Sequence, residues 1–283
     1  MRRLRDRALR LAAALCGAAA LALFAGLAGA ILVRGLPAVD WGFLTRAAAG
    51  AGTAGGLRYQ ILGTLLLVAT ALAAALPLAL GIALVRAVYL RGDRARRRLA
   101  AALYAGNAVP SILWGLAGLI VFGRWLGWGK SWLAGGLLLG LMILPTLAAA
   151  IAECMEALPA PYLEQAAALG LSRSQRVRVV VLPGSVRGIV SGALLGIARA
   201  AGETAPIMLT AAVFSGATLP AGVRESPVLA LPYHVFVLAQ DSFDPAVEPR
   251  LWGAAAVLLA LVAALGLLAL PVRLIAHEEA RRA

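Results

Sequence analysis

Polar and apolar positions along this chain fall into blocks rather than alternating residue by residue. Apolar runs cover 11–33, 61–85, 99–122, 132–152, 188–214 and 251–272, and short arginine-bearing segments separate them. A bilayer core about 30 Å thick takes about 20 apolar residues to cross as a helix. Six runs of that length predict six spanning helices and an all-α integral membrane protein. Two stretches break the pattern. A polar segment at 153–187 separates the fourth and fifth runs, and a proline-bearing loop at 215–250 separates the fifth and sixth.

Composition agrees with the blocks: 62% of the 283 residues are hydrophobic and 14% charged, against a roughly half-apolar soluble domain. The net charge of +13 would suggest nucleic acid on a soluble face. Here the arginines gather at the ends of apolar runs, where anionic lipid accounts for them and nucleic acid is not implied. With the N-terminus inside, seventeen basic residues fall in the cytoplasmic segments and seven in the opposite loops. This bias orients a multi-pass membrane protein with both termini in the cytoplasm. The basic start "MRRLRDRALR" and "AGA" at 28–30 also fit a signal peptide. The first run exceeds the 7–15 residues of a signal's apolar region, which favours an uncleaved anchor. Residues 1–58 then form an anchor span with its exterior loop, and 59–283 the main transmembrane domain.

Cys16 and Cys154 lack metal-like spacing. His234 lies in the 215–250 loop and His277 in the tail, so neither a zinc site nor a catalytic histidine is supported. Gly17, Gly26, Gly63, Gly81, Gly115, Gly118, Gly192 and Gly196 suit close helix packing. The 215–250 loop reads as an ordered cap or partner contact.

The 153–187 segment reads "EALPAPYLEQAAALGLSRSQRVRVVVLPGSVRG" over most of its length. Pro161 opens a short helix, Gly170 stops it, Ser172 caps a second, and Pro183 ends that one. Such an elbow is either a charged connector or a protrusion shaped to enter a groove on another protein. Glu164-Gln165-Ala166, Gly170 six residues after the glutamate, then Val180, Leu182 and Pro183 resemble the EAA loop of ABC importer permeases. Gln165 and Val180 stand where that pattern has alanine and isoleucine. The resemblance implies a type I ABC importer permease fold of six transmembrane helices with cytoplasmic coupling helices. It also implies that Glu164, Ala166, Gly170, Leu182 and Pro183 couple the chain to an ATPase.

The fifth run contains "GIARAAGETAPIML", with Arg199 and Glu203 near its centre. Each charge at mid-membrane costs about 2.5–3.5 kcal/mol on insertion scales. Their i, i+4 spacing puts both on one helical face, where they pair or share a cavity. Gly202 and Pro206 bracket the glutamate and mark a helix break. A structural ion pair is one reading; an anion site is the other, since a guanidinium fork suits a tetrahedral oxyanion. "RAAGETAP", "NAVPSILWG" at 107–115 with Asn107, Pro110 and Ser111, and "LPYHVFVLAQ" at 231–240 are similar to the A-type subunit of phosphate-specific ABC importer permeases. That resemblance covers the chain from about residue 60 onward. It implies a phosphate pathway along Arg199, Glu203 and Thr204. The implied partners are a C-type permease subunit, a dimer of ATP-binding subunits and an external phosphate-binding protein, besides the lipid of a bacterial inner membrane.

The chain is not expected to be an enzyme or to bind a cofactor; ATP and Mg belong to the partner ATPase. Gly129-Lys130-Ser131 lacks the phosphate-loop glycine five positions earlier, where Arg124 stands. Ser111 and Ser191 have no evident base, and no HExxH occurs. An importer of phosphonate, sulfate or molybdate, and a membrane scaffold or sensor, remain alternatives.

Overall fold

Proline and glycine decide where the helices of this chain stop, and the computed structural model shows it for residues 2–50, 54–90 and 92–267. Helix α1 (Arg2–Gly35) leads through a 3₁₀ turn to α2 (Trp41–Thr45), whose start Asp40 caps through the Phe43 amide. A two-stranded hairpin of Ala48–Ala49 with Ala54–Gly55 precedes α3 (Arg58–Leu84), which runs on through a π turn to Tyr89. Next come α4 (Asp93–Asn107), α5 (Ser111–Gly118) and α6 (Trp132–Glu156). Three short helices form the elbow: α7 (Ala160–Ala168), α8 (Arg173–Arg176) and α9 (Leu182–Gly184). The last four are α10 (Val186–Gly202), α11 (Ala205–Thr210), α12 (Leu231–Gln240) and α13 (Glu248–Leu267).

Among the described residues four apolar helices are long enough to cross a membrane, and the count reaches six where each of two bent pairs is taken as one span. The expected third span is not continuous: α4 and the α5 segment meet at 86° around Ala108 to Pro110. Pro110 lacks the amide hydrogen that the Gly106 carbonyl would take, so α4 cannot continue through it. The expected fifth span is likewise α10, a gap, and α11. The end of the sixth expected span, His277 and the C-terminus lie outside the described residues.

At the centre stands α6, 72% of whose apolar window is buried, whereas none of that of α1 is. Leu67, Val68, Ala71, Ala75, Ala79 and Ala83 of α3 pack on Leu139, Met142, Ile143, Ile151 and Ala152 of α6. Lipid supplies no hydrophobic drive between helices, so small residues that permit close contact do the work. On α10, Gly188, Gly192 and Gly196 recur every fourth residue. A Cβ on each would meet Cys154, Ile151 and Ile143, respectively, all on α6. Gly63, Gly115 and Gly118 also lie in close contacts, while Gly17, Gly26 and Gly81 face open space.

A second core at the end away from the elbow joins Phe43 and Leu57 to Leu231 and Leu238 of α12 and Ala254 and Val257 of α13. The 215–250 loop thus contains a helix that the polar and proline-rich reading did not anticipate. Pro232 sits in its first turn, where a missing amide hydrogen costs nothing.

Candidate functional site

The break in the fifth span follows from two residues four apart. Pro206 cannot donate to the Gly202 carbonyl, so α10 ends at Gly202 and Glu203 turns extended, with φ −79° and ψ 130°. Thr204 precedes α11 without a side-chain capping bond, and Pro206 is buried in its first turn. Gly115 of α5 packs on this break. A Cβ there would approach the Ala205 carbonyl oxygen at 3.0 Å and the Pro206 Cα at 3.2 Å.

Arg199 lies one turn before the break, half-buried. Its Nε is 3.7 Å from Glu203 Oε1. Its Nη1 donates to Asn107 Oδ1 at 3.1 Å and to Thr146 Oγ1 at 2.8 Å. Thr146 Oγ1 donates in turn to Asn107 Oδ1 at 2.7 Å. Asn107 is the last residue of α4, and Thr146 follows Pro145 inside α6. The node therefore ties together the bend of the third span, a proline turn of the central helix and the break of the fifth. Thr146 lies ten residues from the elbow end of α6, about 15 Å at 1.5 Å per residue. That is about half of a 30 Å bilayer core.

Of the residues singled out in the sequence, Arg199, Glu203, Gly202, Thr204 and Pro206 lie together at this break, while Asn107 was quoted only for its resemblance. Sequence reasoning missed Thr146, whose one local signal is the preceding proline. A hollow of about 660 Å³ lined by Leu62, Leu66, Trp132, Pro220 and Val223 has no charged side chain in its wall and is separate from this node.

Within the elbow, α7 and α8 are joined at Gly170, whose φ of 75° only glycine adopts without strain. Ser172 accepts from the Gln175 amide while the Gln175 side chain accepts from the Ser172 amide, a reciprocal cap. Pro183 does not end the second helix as expected. A π turn at Val177–Val181 carries the chain into α9, and the bend of 63° comes at Ser185. Proline in the first turn of α9 removes no needed donor. Ala166 is buried, Leu182 half-buried, and Glu164, Gly170 and Pro183 exposed. Around Glu164, the side chains of Tyr162 and Leu169 are exposed, as is Val179 on the π turn. Beneath the elbow, Arg86 grips Glu156 with two bonds, Nε to Oε1 at 3.1 Å and Nη2 to Oε2 at 2.9 Å, joining the ends of the α3 segment and α6.

Gly129-Lys130-Ser131 is used structurally. Lys130 Nζ donates to the Ala212 carbonyl at 3.0 Å, and Ser131 caps α6. Burial pushes the Lys130 ammonium below the usual lysine range. No group of three or more metal-ligating side chains occurs among the described residues.

The profile of the family described as "Binding-protein-dependent transport system inner membrane component" matches residues 75–277. The chain is 27% identical to the probable ABC transporter permease protein YqgI of Bacillus subtilis, over 70% of this chain and 67% of that protein. It is 32% identical to the phosphate transport system permease protein PstA 2 of Mycobacterium bovis, over 76% and 73% of the two chains. Its fold is similar to a chain of the inward-facing MetNI methionine ABC transporter, with TM-score 0.59 and 16% identity over 77% of this chain and 94% of that one. A chain of apolar, proline-broken helices with an exposed elbow, matched by this profile over most of its length, belongs to the binding-protein-dependent transport system inner membrane components: it is a multi-pass inner-membrane permease subunit of an ABC importer.

Proposed function

We propose that this permease passes inorganic phosphate, delivered by an external binding protein, through a pathway that includes Arg199, Glu203 and Thr204. The observation that carries the reading is an arginine at mid-membrane, held by three side chains at a helix break rather than neutralised by a tight bidentate pair. A guanidinium so placed attracts a tetrahedral oxyanion and can bind it with two parallel bonds. Glu203, at 3.7 Å from Nε, tempers that attraction, because passage needs binding strong enough for entry and weak enough for release. The likeness to phosphate permeases favours phosphate over sulfate, phosphonate or molybdate.

In this reading the elbow docks on an ATP-binding subunit dimer through Glu164, Ala166, Gly170, Leu182 and Pro183, and the second half of the pore is a C-type permease. ATP and Mg are held by the partner, and this chain binds no cofactor. Both termini face the cytoplasm and the α12 end faces outward. The test is uptake of labelled phosphate by the reconstituted complex against excess sulfate, molybdate or phosphonate. Phosphate uptake resistant to all three competitors is expected; equal suppression by sulfate overturns the assignment.

A further inference from the structure

The hydrogen-bond chemistry of the Arg199 node fixes which atoms it shows to open space. A guanidinium only donates, so Thr146 Oγ1 must accept from Arg199 and spend its single hydrogen on Asn107 Oδ1. Asn107 Oδ1 then accepts from both Thr146 and Arg199. This settles the orientation of the carboxamide: its oxygen faces the arginine, and its nitrogen is the other branch. Among the described residues no acceptor takes a hydrogen from Asn107 Nδ2 or Arg199 Nη2. Neither nitrogen is among the buried polar atoms without a partner, so both reach open space. The node therefore spends its acceptors inward and presents amide and guanidinium donors outward.

We infer that Asn107 is a second ligand of the translocated oxyanion, donating its carboxamide N–H groups to the same anion that Arg199 holds. Thr146 is a positioning residue that fixes both. The inference rests on the reading of Arg199 as an anion site and adds the end of the bent third span to it. One anion would then bridge the third and fifth spans, whose breaks already meet at Asn107 and Arg199.

Asn107→Asp separates the two roles of Asn107. It keeps an oxygen that accepts from Arg199 and Thr146 but replaces the outward donors with an anionic oxygen. The measurement is equilibrium binding of labelled inorganic phosphate to the purified, nucleotide-free transporter complex, with subunit stoichiometry checked for every variant. Asn107→Asp is expected to weaken phosphate binding at least tenfold. Thr146→Val is expected to weaken it several-fold and Thr146→Ser, which keeps the hydroxyl, to restore it. Wild-type affinity in Asn107→Asp, with binding lost in Arg199→Ala, overturns the inference and leaves the arginine site standing. Undiminished binding in Arg199→Ala, or no saturable binding by the wild type, instead overturns the underlying reading and this inference with it. Should Asn107→Asp fail to assemble, Asn107→Ala is compared with Thr146→Val. A larger loss in Asn107→Ala supports a donor to the anion, and equal losses reduce Asn107 to a holder.

Discussion

Arg199 shows how the cost of one residue locates a site. A charge at mid-membrane is costly enough that its surroundings have to compensate, and here they do so with an amide oxygen, a hydroxyl and a distant carboxylate. The charge pair was legible in the sequence because Arg199 and Glu203 are four residues apart. Their link to Asn107 and Thr146 was not, since these lie 92 and 53 positions from Arg199 and only the packing brings them to it. The planar fork matters as well as the charge, because Nη1 engages two oxygens while Nε faces a third. A lysine has one nitrogen and cannot serve both sides of the node at once. Arg199→Lys is therefore expected to retain the assembled complex yet reduce phosphate uptake at least tenfold, about 1.4 kcal/mol. Uptake near wild type in Arg199→Lys would show that charge alone suffices.

At the scale of elements, some prolines were legible from their neighbours and others were not. Pro206 and Gly202 break the fifth span as their spacing requires. Pro110 bends the third span by 86°, a turn invisible to hydropathy because both flanks stay apolar. Gly170 was legible for the same local reason as Pro206. A Cβ there would meet no neighbour within 4 Å, so its requirement lies in backbone conformation alone. Gly170→Val should cost about 1–2 kcal/mol of local strain, tilting α7 against α8. The measurable outcome is ATP hydrolysis by the complex that no longer scales with uptake; preserved coupling would remove the elbow from the mechanism.

Helix α12 offers a pH test on the opposite face. His234 is almost fully buried, stacks on Phe214 at 5.1 Å between centroids, and has both ring nitrogens unpartnered. Burial first, and then the Arg250 charge, hold its imidazole down at about 4. An imidazole that must stay neutral when folded stabilises nothing extra above pH 6.5, its ordinary value. The unfolded cap takes up the proton first, so stability falls as pH drops from about 6.5 toward 4, by up to about 3 kcal/mol. The protection factors of the 231–240 amides, corrected for the intrinsic slowing of exchange at low pH, are expected to fall over that window and to lose the dependence in His234→Phe, which keeps the ring contact. A flat wild-type profile would contradict the burial argument.

For the whole molecule, the proposed docking of the elbow on an ATPase requires a path from there to a node half a bilayer away. Helix α10 runs unbroken from Val186 to Gly202, about 25 Å at 1.5 Å per residue, with the elbow at one end and Arg199 near the other. It rests on α6 through the glycine seam at 188, 192 and 196, so the two helices can slide or rock as packed rods without side chains to lock them. Thr146 stands on α6 and Arg199 on α10, so the hydrogen bond between them reports the register of the two rods. Hydropathy gave these helices as spans, and the four-residue glycine spacing was visible, but that α6 is the partner emerges only from the packing. A Cβ at Gly192 would already sit 3.2 Å from Ile151 Cγ1. Gly192→Leu should therefore wedge α10 off α6 at a cost of about 1–3 kcal/mol. The elbow residues themselves are untouched by that change. The ATPase should still co-purify and hydrolyse ATP while phosphate uptake and phosphate binding both fall, because the wedge pulls Arg199 away from Thr146. If binding persists and only uptake falls, the seam transmits motion without holding the node. If uptake is unaffected, the two helices do not work as one lever.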